Sequence, residues 1–280
     1  CQNWIDEVFL CMPNRTTLPE NIMKTMRQMG LVLHMNVSED SDLLGKKQST
    51  GKIGGYVVLT TALRYATSGQ MLLKRLLDIV GGIVGCIITG ILFLILAPMI
   101  KINSPGAVFF KQERVGRNGK HFHIYKFRSM VMNADKIKAE LMDQNRVENG
   151  YMFKMENDPR IIGSRIVNGK YKKGIGNFIR DYSLDEFPQF LNVLLGSMSI
   201  VGTRPPTLDE VANYQPHHHA RLAVKPGITG IWQISGRSNI TDFEEVVKMD
   251  LQYINEWSFL LDLKIIMKTI AVVFKREGSM

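Results

Sequence analysis

From Ile79 to Ile100 the sequence runs for 22 residues without a charged side chain (IVGGIVGCIITGILFLILAPMI). As an α-helix this stretch is about 33 Å long, enough to cross the hydrocarbon core of a bilayer. A globular helix of that length normally carries a polar face, so a membrane segment is expected rather than a buried core helix. Lys74 and Arg75 precede the run, and Lys101, Lys111 and Arg114 follow it. Cationic flanks favour the cytoplasmic side, so two cationic ends predict a helix that enters the membrane and returns. Such a re-entrant hairpin needs an interruption of its backbone. Gly90 near the middle and Pro98 near the end are the candidates, and the sequence does not choose between them. Between Lys74 and Arg128, nine cations oppose only Asp78 and Glu113, which places +7 of the chain's +9 net charge around this run. Nucleic-acid binding by that charge is disfavoured, because the basic block lacks interleaved aromatics and sits at a membrane segment.

Residues 1 to about 70 read as one β–α–β half. An apolar run Val8-Phe9-Leu10-Cys11 and a Pro13-Asn14 turn lead into a helix opening near Leu18-Pro19-Glu20, with Gly30 as its C-cap before Leu31–Met35. No glycine fingerprint follows its first strand, so no nucleotide site is assigned there. The polar stretch Ser38 to Gly51 reads as a loop, and the region 60–70 leads into the membrane segment. Cys1, Cys11 and Cys86 are odd in number and far apart, which predicts neither a disulfide framework nor a zinc knuckle and favours a reducing compartment. A chain opening on Cys, with no charged leader, is expected to begin inside a longer protein.

Beyond the membrane run, Ser104-Pro105-Gly106 makes a turn, and Phe109-Phe110 and Phe122–Tyr125 alternate as strands joined by Gly116–Gly119. Helices are expected at about 131–147, 174–181, 186–195, 207–214, 216–223, 241–256 and 258–276. The last, Ser258–Arg276, has the makeup of a basic amphipathic helix lying on anionic lipid, or of an ordinary packed helix. The fold class is therefore α+β: a mostly helical, membrane-associated domain over 104–280, a re-entrant membrane helix over 71–103, and a partial α/β unit over 1–70.

The densest polar grouping is Arg180-Asp181-Tyr182-Ser183-Leu184-Asp185-Glu186-Phe187-Pro188, followed by an apolar helix and Gly202-Thr203-Arg204-Pro205-Pro206. Adjacent carboxylates between two arginines allow two readings. In one, Asp185 is a helix N-cap with Glu186 and Pro188 in the first turn. In the other, the pair performs phosphoryl chemistry: one carboxylate attacks phosphorus and the other helps hold Mg²⁺, while arginines clamp phosphate oxygens. P-loop, GxSxG, HExxH and GxGxxG patterns are all missing, so the corresponding ATPase, hydrolase and protease chemistries lack their residues. Lys225–Gln233 and Ile234–Asn239 are glycine-rich stretches with Arg237 at a tip, fitting either a phosphate site or a structural turn. His217-His218-His219 is expected to be a surface cluster, since neighbours on an α-helix point about 100° apart.

At these residues the sequence resembles the bacterial sugar transferase family, the monotopic polyprenyl-phosphate phosphoglycosyl transferases, over about Lys74–Gly278. The motifs begin with Lys74-Arg75-Leu76-Leu77-Asp78, Ser104-Pro105-Gly106, Gln112-Glu113-Arg114-Val115-Gly116 and Tyr125-Lys126-Phe127-Arg128-Ser129-Met130. They continue as Ser183–Gln189, Met198–Pro205, Lys225–Gly230 and Gly236-Arg237. Gly90-Ile91 stands where a mid-segment Ser-Pro pair is often found, and Thr203 replaces a frequent proline.

The resemblance implies that Asp185 is the nucleophile on a UDP-hexose, expelling UMP, with Glu186 and Mg²⁺ assisting and both carboxylates at the metal. Undecaprenyl phosphate then takes the phosphosugar, as the opening of capsule or exopolysaccharide synthesis. Lys126, Arg128, Arg180, Arg204 and Arg237 match family positions that bind substrate phosphates. Lys74, Arg75, Gly90 and Pro98 belong to the membrane element. The resemblance places the catalytic domain on the cytoplasmic face of the bacterial inner membrane and makes residues 1–70 the end of a Rossmann-like domain. Glucose and galactose are the usual sugars, and the sequence does not select one; it also leaves a homo-oligomer open. The alternative from another class is a non-catalytic, membrane-bound scaffold that recruits later glycosyltransferases; loss of Asp185 or Glu186 would favour it, and both are present.

Overall fold

The computed structural model of the chain describes residues 5–10, 20–36, 48–53, 56–61, 66–141, 155, 157–168, 170–236, 240 and 242–275. In the N-terminal part, β1 (Glu7–Leu10), α1 (Glu20–Gln28) and β2 (Val32–Asn36) form the expected unit, with β1 and β2 parallel and Gly30 at φ 78° closing the helix. The stretch read as a loop is strand at its end: β3 (Gln48–Ile53) pairs antiparallel with β4 (Tyr56–Thr61), which pairs antiparallel with β2. The sheet order is β1-β2-β4-β3. A polar segment takes up strand here because an apolar neighbour supplies its ladder, so pairing overrides composition.

The apolar run lies within α2 (Ser68–Asn103), a helix of 36 residues. Thr67 and Gln70 close its N-terminus reciprocally: the Gln70 N–H donates to Thr67 Oγ1 (3.3 Å) and the Thr67 N–H donates to Gln70 Oε1 (3.0 Å). α2 is helical through both Gly90 and Pro98, so the expected interruption at one of them is not present. Pro98 only removes the bond to the Leu94 carbonyl, and a lone glycine costs about 1 kcal/mol. In an apolar segment the remaining backbone groups have no better partners than one another.

A narrow stripe of α2 is buried: Lys74, Asp78, Gly82, Gly85, Leu96 and Ile100. Only 17% of its most apolar window is buried in the protein, and Val80, Ile87, Leu94 and Ile95 are all more than half exposed. A soluble core helix would not leave that surface to water. The stripe is held by Asp78 and by the two cations that flank the apolar run, Lys74 and Arg75. Lys74 Nζ donates to Asp262 Oδ2 (2.6 Å) and the Val201 carbonyl (3.0 Å). Arg75 donates to the Val193 and Leu194 carbonyls (both 2.8 Å) at the end of α5 (Gln189–Leu195). Asp78 accepts from Ser199 Oγ and the Ile200 N–H (both 2.9 Å).

α5 lies against the two glycines. A Cβ on Gly82 would stand 3.3 Å from the Leu194 backbone, and one on Gly85 would fall inside the Phe190 ring. Gly85→Val is therefore expected to destabilise the protein by about 1–3 kcal/mol, read as a lower thermal midpoint in detergent. Gly90→Val, with nothing within 4 Å of its added Cβ, should leave the midpoint unchanged.

After α2, β5 (Phe109–Val115) and β6 (His121–Phe127) form the expected hairpin, with Val115 opposite His121 and a tight turn over Arg117–Gly119. α3 (Ala134–Glu140) begins the region expected as a helix over 131–147, of which 142–147 lie outside the described residues. Next come the short hairpin β7 (Arg165–Val167) and β8 (Lys170–Lys172), α4 (Ile175–Asp181), a 3₁₀ turn over Leu184–Glu186, and α5. Then follow β9 (Ser199–Val201), α6 (Leu208–Ala212), a 3₁₀ segment over Pro216–Ala223, β10 (Gly227–Thr229) parallel to β9, and α7 (Ile231–Ile234). The chain closes with α8 (Phe243–Glu256) and α9 (Phe259–Lys275). On α9, Asp262 and Ile265 are buried, while Leu260, Met267 and Ile270 are exposed beside Lys264 and Lys268. The inner face of α9 packs and its outer face keeps the basic, apolar character read from the sequence.

Candidate active site

The turn Leu184–Glu186 is anchored by its own apolar residues. Leu184 and Phe187 pack on a buried cluster of Leu96, Ile100, Val108, Phe127, Ile162 and Ile179. Thr89 of α2 donates from Oγ1 to the Phe187 carbonyl (3.0 Å), tying the turn to the apolar helix. Ser183 takes a left-handed conformation (φ 52°) that lets α4 end and the turn begin. The N-cap of α5 is Pro188, and no side chain caps it. The N-cap role open to Asp185 is therefore not the one it has.

Asp185 and Glu186 instead turn toward β6. Lys126 Nζ donates to Glu186 Oε1 at 3.0 Å and stands 3.9 Å from Asp185 Oδ2. The Asp185 and Glu186 side chains are 15% and 30% exposed, so both can be reached from solvent. Lys126 opposes Phe110, and Arg114 opposes Phe122, which places Lys126 and Arg114 on one face of the hairpin. Gln112 Oε1 accepts from Arg114 Nε and Nη2 (3.1 and 2.6 Å), and Arg114 Nη1 donates to the Pro205 carbonyl (3.0 Å). Burial and the neighbouring Arg204 guanidinium push Arg114 down to about 10, with Glu210, Glu186 and Tyr214 acting the other way. Arg114 thus feels the charges of both Glu186 and Arg204. It stood in a quoted motif without a role, and its two-residue spacing from Gln112 was the available signal.

Arg204 holds Glu210 bidentately, Nη1 to Oε2 at 2.8 Å and Nη2 to Oε1 at 3.1 Å. Burial alone would raise the Glu210 carboxyl, but Arg204, Arg114 and the Thr207 N–H keep it below its usual value. Arg180 on α4 lies near enough to Asp158 for its charge to act on that carboxyl. Burial would raise Asp158, yet its bonds from Arg160 (2.8 and 2.6 Å) and the charge of Arg180 hold it low. Arg128, read as a phosphate ligand, is 4% exposed and donates to the Ser104 and Pro105 carbonyls. Its geometry fixes the turn after α2. Arg237 lies outside the described residues. The glycines of the Lys225–Gly230 stretch have a packing reason: a Cβ on Gly227 would strike the Gly202 backbone, and one on Gly230 the Gly202 carbonyl.

The three histidines do not form the expected surface cluster. His218 is fully buried, and His217 Nε2 and His218 Nε2 stand 3.1 and 2.7 Å from the two oxygens of Glu244. The two rings nonetheless converge on that carboxylate, with centroids 4.0 Å apart. The group has metal-like spacing. However, the Gln215 N–H donates to His218 Nδ1 (3.1 Å), so in the neutral ring the proton sits on Nε2 and points at Glu244. That tautomer cannot present Nε2 to a metal.

A family profile described as "Bacterial sugar transferase" matches residues 69–276. The chain belongs to the bacterial sugar transferase family. It is 47% identical over 261 residues to the galactosyl transferase CpsE of Streptococcus agalactiae serotype III, covering 93% of this chain and 55% of that protein. It is 40% identical over 217 residues to the undecaprenyl-phosphate galactose phosphotransferase of Salmonella typhimurium, 76% of this chain and 43% of the other. A third relative, the UDP-glucose:undecaprenyl-phosphate glucose-1-phosphate transferase of Escherichia coli, is 39% identical over 216 residues, 74% of this chain and 41% of its own. The chain spans about half the length of these relatives. The family match ends at 276 and begins at the start of α2, so the carboxylate pair, Lys126, Arg114 and Arg204 all lie inside it.

For Mg²⁺ the donor set fits: Asp185 and Glu186 offer two partly open carboxylates, the hard oxygen ligands this ion takes with phosphate oxygens and water. Held there, it would neutralise charge on a bound diphosphate.

Proposed function

We propose that the chain transfers a hexose-1-phosphate from a UDP-hexose to undecaprenyl phosphate, releasing UMP, at the cytoplasmic face of the bacterial inner membrane in capsule or exopolysaccharide synthesis. The observation that carries this reading is the Asp185–Glu186 pair, partly open, bridged to Lys126, and tied through Phe187 to Thr89 on the apolar helix. This arrangement puts a nucleophile and cationic groups beside an element built for lipid, where a water-soluble donor and a lipid acceptor can share one site. The relatives' names supply the donor and carrier classes.

In the first step an Asp185 carboxylate oxygen attacks the sugar-linked phosphorus. An aspartyl–phosphorus bond forms, the P–O bond to UMP breaks, and UMP leaves with the electron pair. In the second, a phosphate oxygen of the lipid attacks the same phosphorus and the carboxylate is released. Lys126 lies close to both Asp185 and Glu186, and it offsets charge on the transferring phosphoryl group. Arg114 and Arg204 extend that positive field. Glu210 fixes the plane of Arg204, so its guanidinium is oriented before substrate arrives. Membrane seating follows from the exposed face of α2 and from the basic outer face of α9.

The test is UMP release by the purified protein in detergent with Mg²⁺, from UDP-glucose and UDP-galactose, with and without undecaprenyl phosphate. Lipid-dependent release from one sugar is the expected result and names the donor. Folded protein that releases no UMP from any UDP-hexose in the presence of lipid would refute the reading.

A further inference from the structure

Where the apolar run begins, a small cavity of about 50 Å³ opens among Lys74, Arg75, Asp78, Arg117 and Lys225. That volume equals a few waters, the size of a phosphate group and too small for a nucleotide sugar. Its charges do not balance. Lys74 is neutralised by Asp262 at 2.6 Å. Among the described residues Arg75 donates to the neutral carbonyls of Val193 and Leu194, and no carboxylate is bonded to it there. Asp78, the one carboxylate lining the cavity, accepts from the neutral donors Ser199 and Ile200. Arg75, Arg117 and Lys225 against Asp78 leave two positive charges in excess. The Lys225 ammonium has no hydrogen-bond acceptor among the described residues. Burial and the nearby Arg75, Arg117 and Lys74 hold it below its ordinary value, against the opposing pull of Asp78. Like charges held together at a partly desolvated site cost free energy that a bound anion would return.

We propose that this cavity binds the phosphate of an anionic ligand between Arg75, Arg117 and Lys225. The site is distinct from the carboxylate pair, because Lys74 and Thr89, which meets the catalytic turn, are 15 residues apart on α2, about 22 Å. Its position one residue before Ile79 sets it at the level where phospholipid headgroups lie, and a free phosphate group offers the same chemistry. The anion site does not rest on the transfer reaction; the lipid source rests on the membrane seating of α2.

The test uses the purified chain in a zwitterionic detergent and follows its thermal midpoint. Short-chain phosphatidylglycerol, short-chain phosphatidylcholine, and inorganic phosphate balanced against chloride of equal ionic strength are titrated separately. A saturable rise with phosphatidylglycerol but not with net-neutral phosphatidylcholine is expected. Lys225→Ala and Arg117→Ala should each weaken it about tenfold, while Lys225→Arg retains it. Neither position is packed in the core, so the variants stay folded. A response to phosphatidylglycerol alone identifies a lipid site, and an equal response to inorganic phosphate identifies a general phosphate site; either supports the proposal. No saturable response to either anion, or one that Lys225→Ala leaves intact, overturns it.

Discussion

Asp185→Asn is expected to lose turnover by at least about 10³-fold while the protein keeps its thermal midpoint. The substitution preserves shape and removes the charge that makes the oxygen a nucleophile. The turn that carries it is held by Leu184 and Phe187 in the apolar cluster and by Thr89, none of which depends on the carboxylate. The Lys126–Glu186 pair also remains. The distinguishing measurement is a covalent one: wild-type protein given UDP-sugar without lipid should gain the mass of one hexose phosphate, and Asp185→Asn should not. Glu186→Gln should keep that adduct but form it more slowly and with weaker Mg²⁺ dependence. An Asp185→Asn protein that turns over normally, or still gains the adduct, would remove Asp185 from the role given to it.

Lys74→Met is expected to destabilise the protein by about 3–5 kcal/mol, because it breaks a buried ion pair from one side. Asp262 is fully buried, and without Lys74 its side-chain donors among the described residues are the Tyr253 hydroxyl (2.8 Å) and Trp257 Nε1–H (3.2 Å). The Val201 carbonyl would also lose a donor. Replacing both partners with apolar residues, Lys74→Met with Asp262→Leu, should recover much of the loss, since no charge is then left buried alone. Thermal unfolding in detergent reads both. A single variant within about 0.5 kcal/mol of the parent would show that Lys74 faces headgroups and not Asp262.

Much of the fold was legible because its signals are local. The uncharged run set α2, the alternation in Phe109–Tyr125 around a glycine turn set the β5–β6 hairpin, and helical periodicity located α4, α5, α8 and α9. The strand β3 was missed because its partner, not its composition, makes it a strand. The parallel pair β9–β10 was missed because three-residue strands carry no readable period. The interruption expected in α2 came from topology, which the backbone conformation did not follow.

For the site, the sequence alone singled out the candidates for chemistry: adjacent carboxylates at 185 and 186, in motif order with Lys126 and Arg204. Those are facts of residue type and order, and bond-forming capacity is intrinsic to a side chain. Only the tertiary structure decided which cations serve the pair. Among the described residues Lys126 reaches it, whereas Arg128 serves the Ser104 and Pro105 carbonyls, and Lys74 and Arg75 fasten the apolar helix to the domain. A guanidinium has the same charge wherever it lies in a sequence, and its partner is whichever acceptor the packed backbone places within about 3 Å.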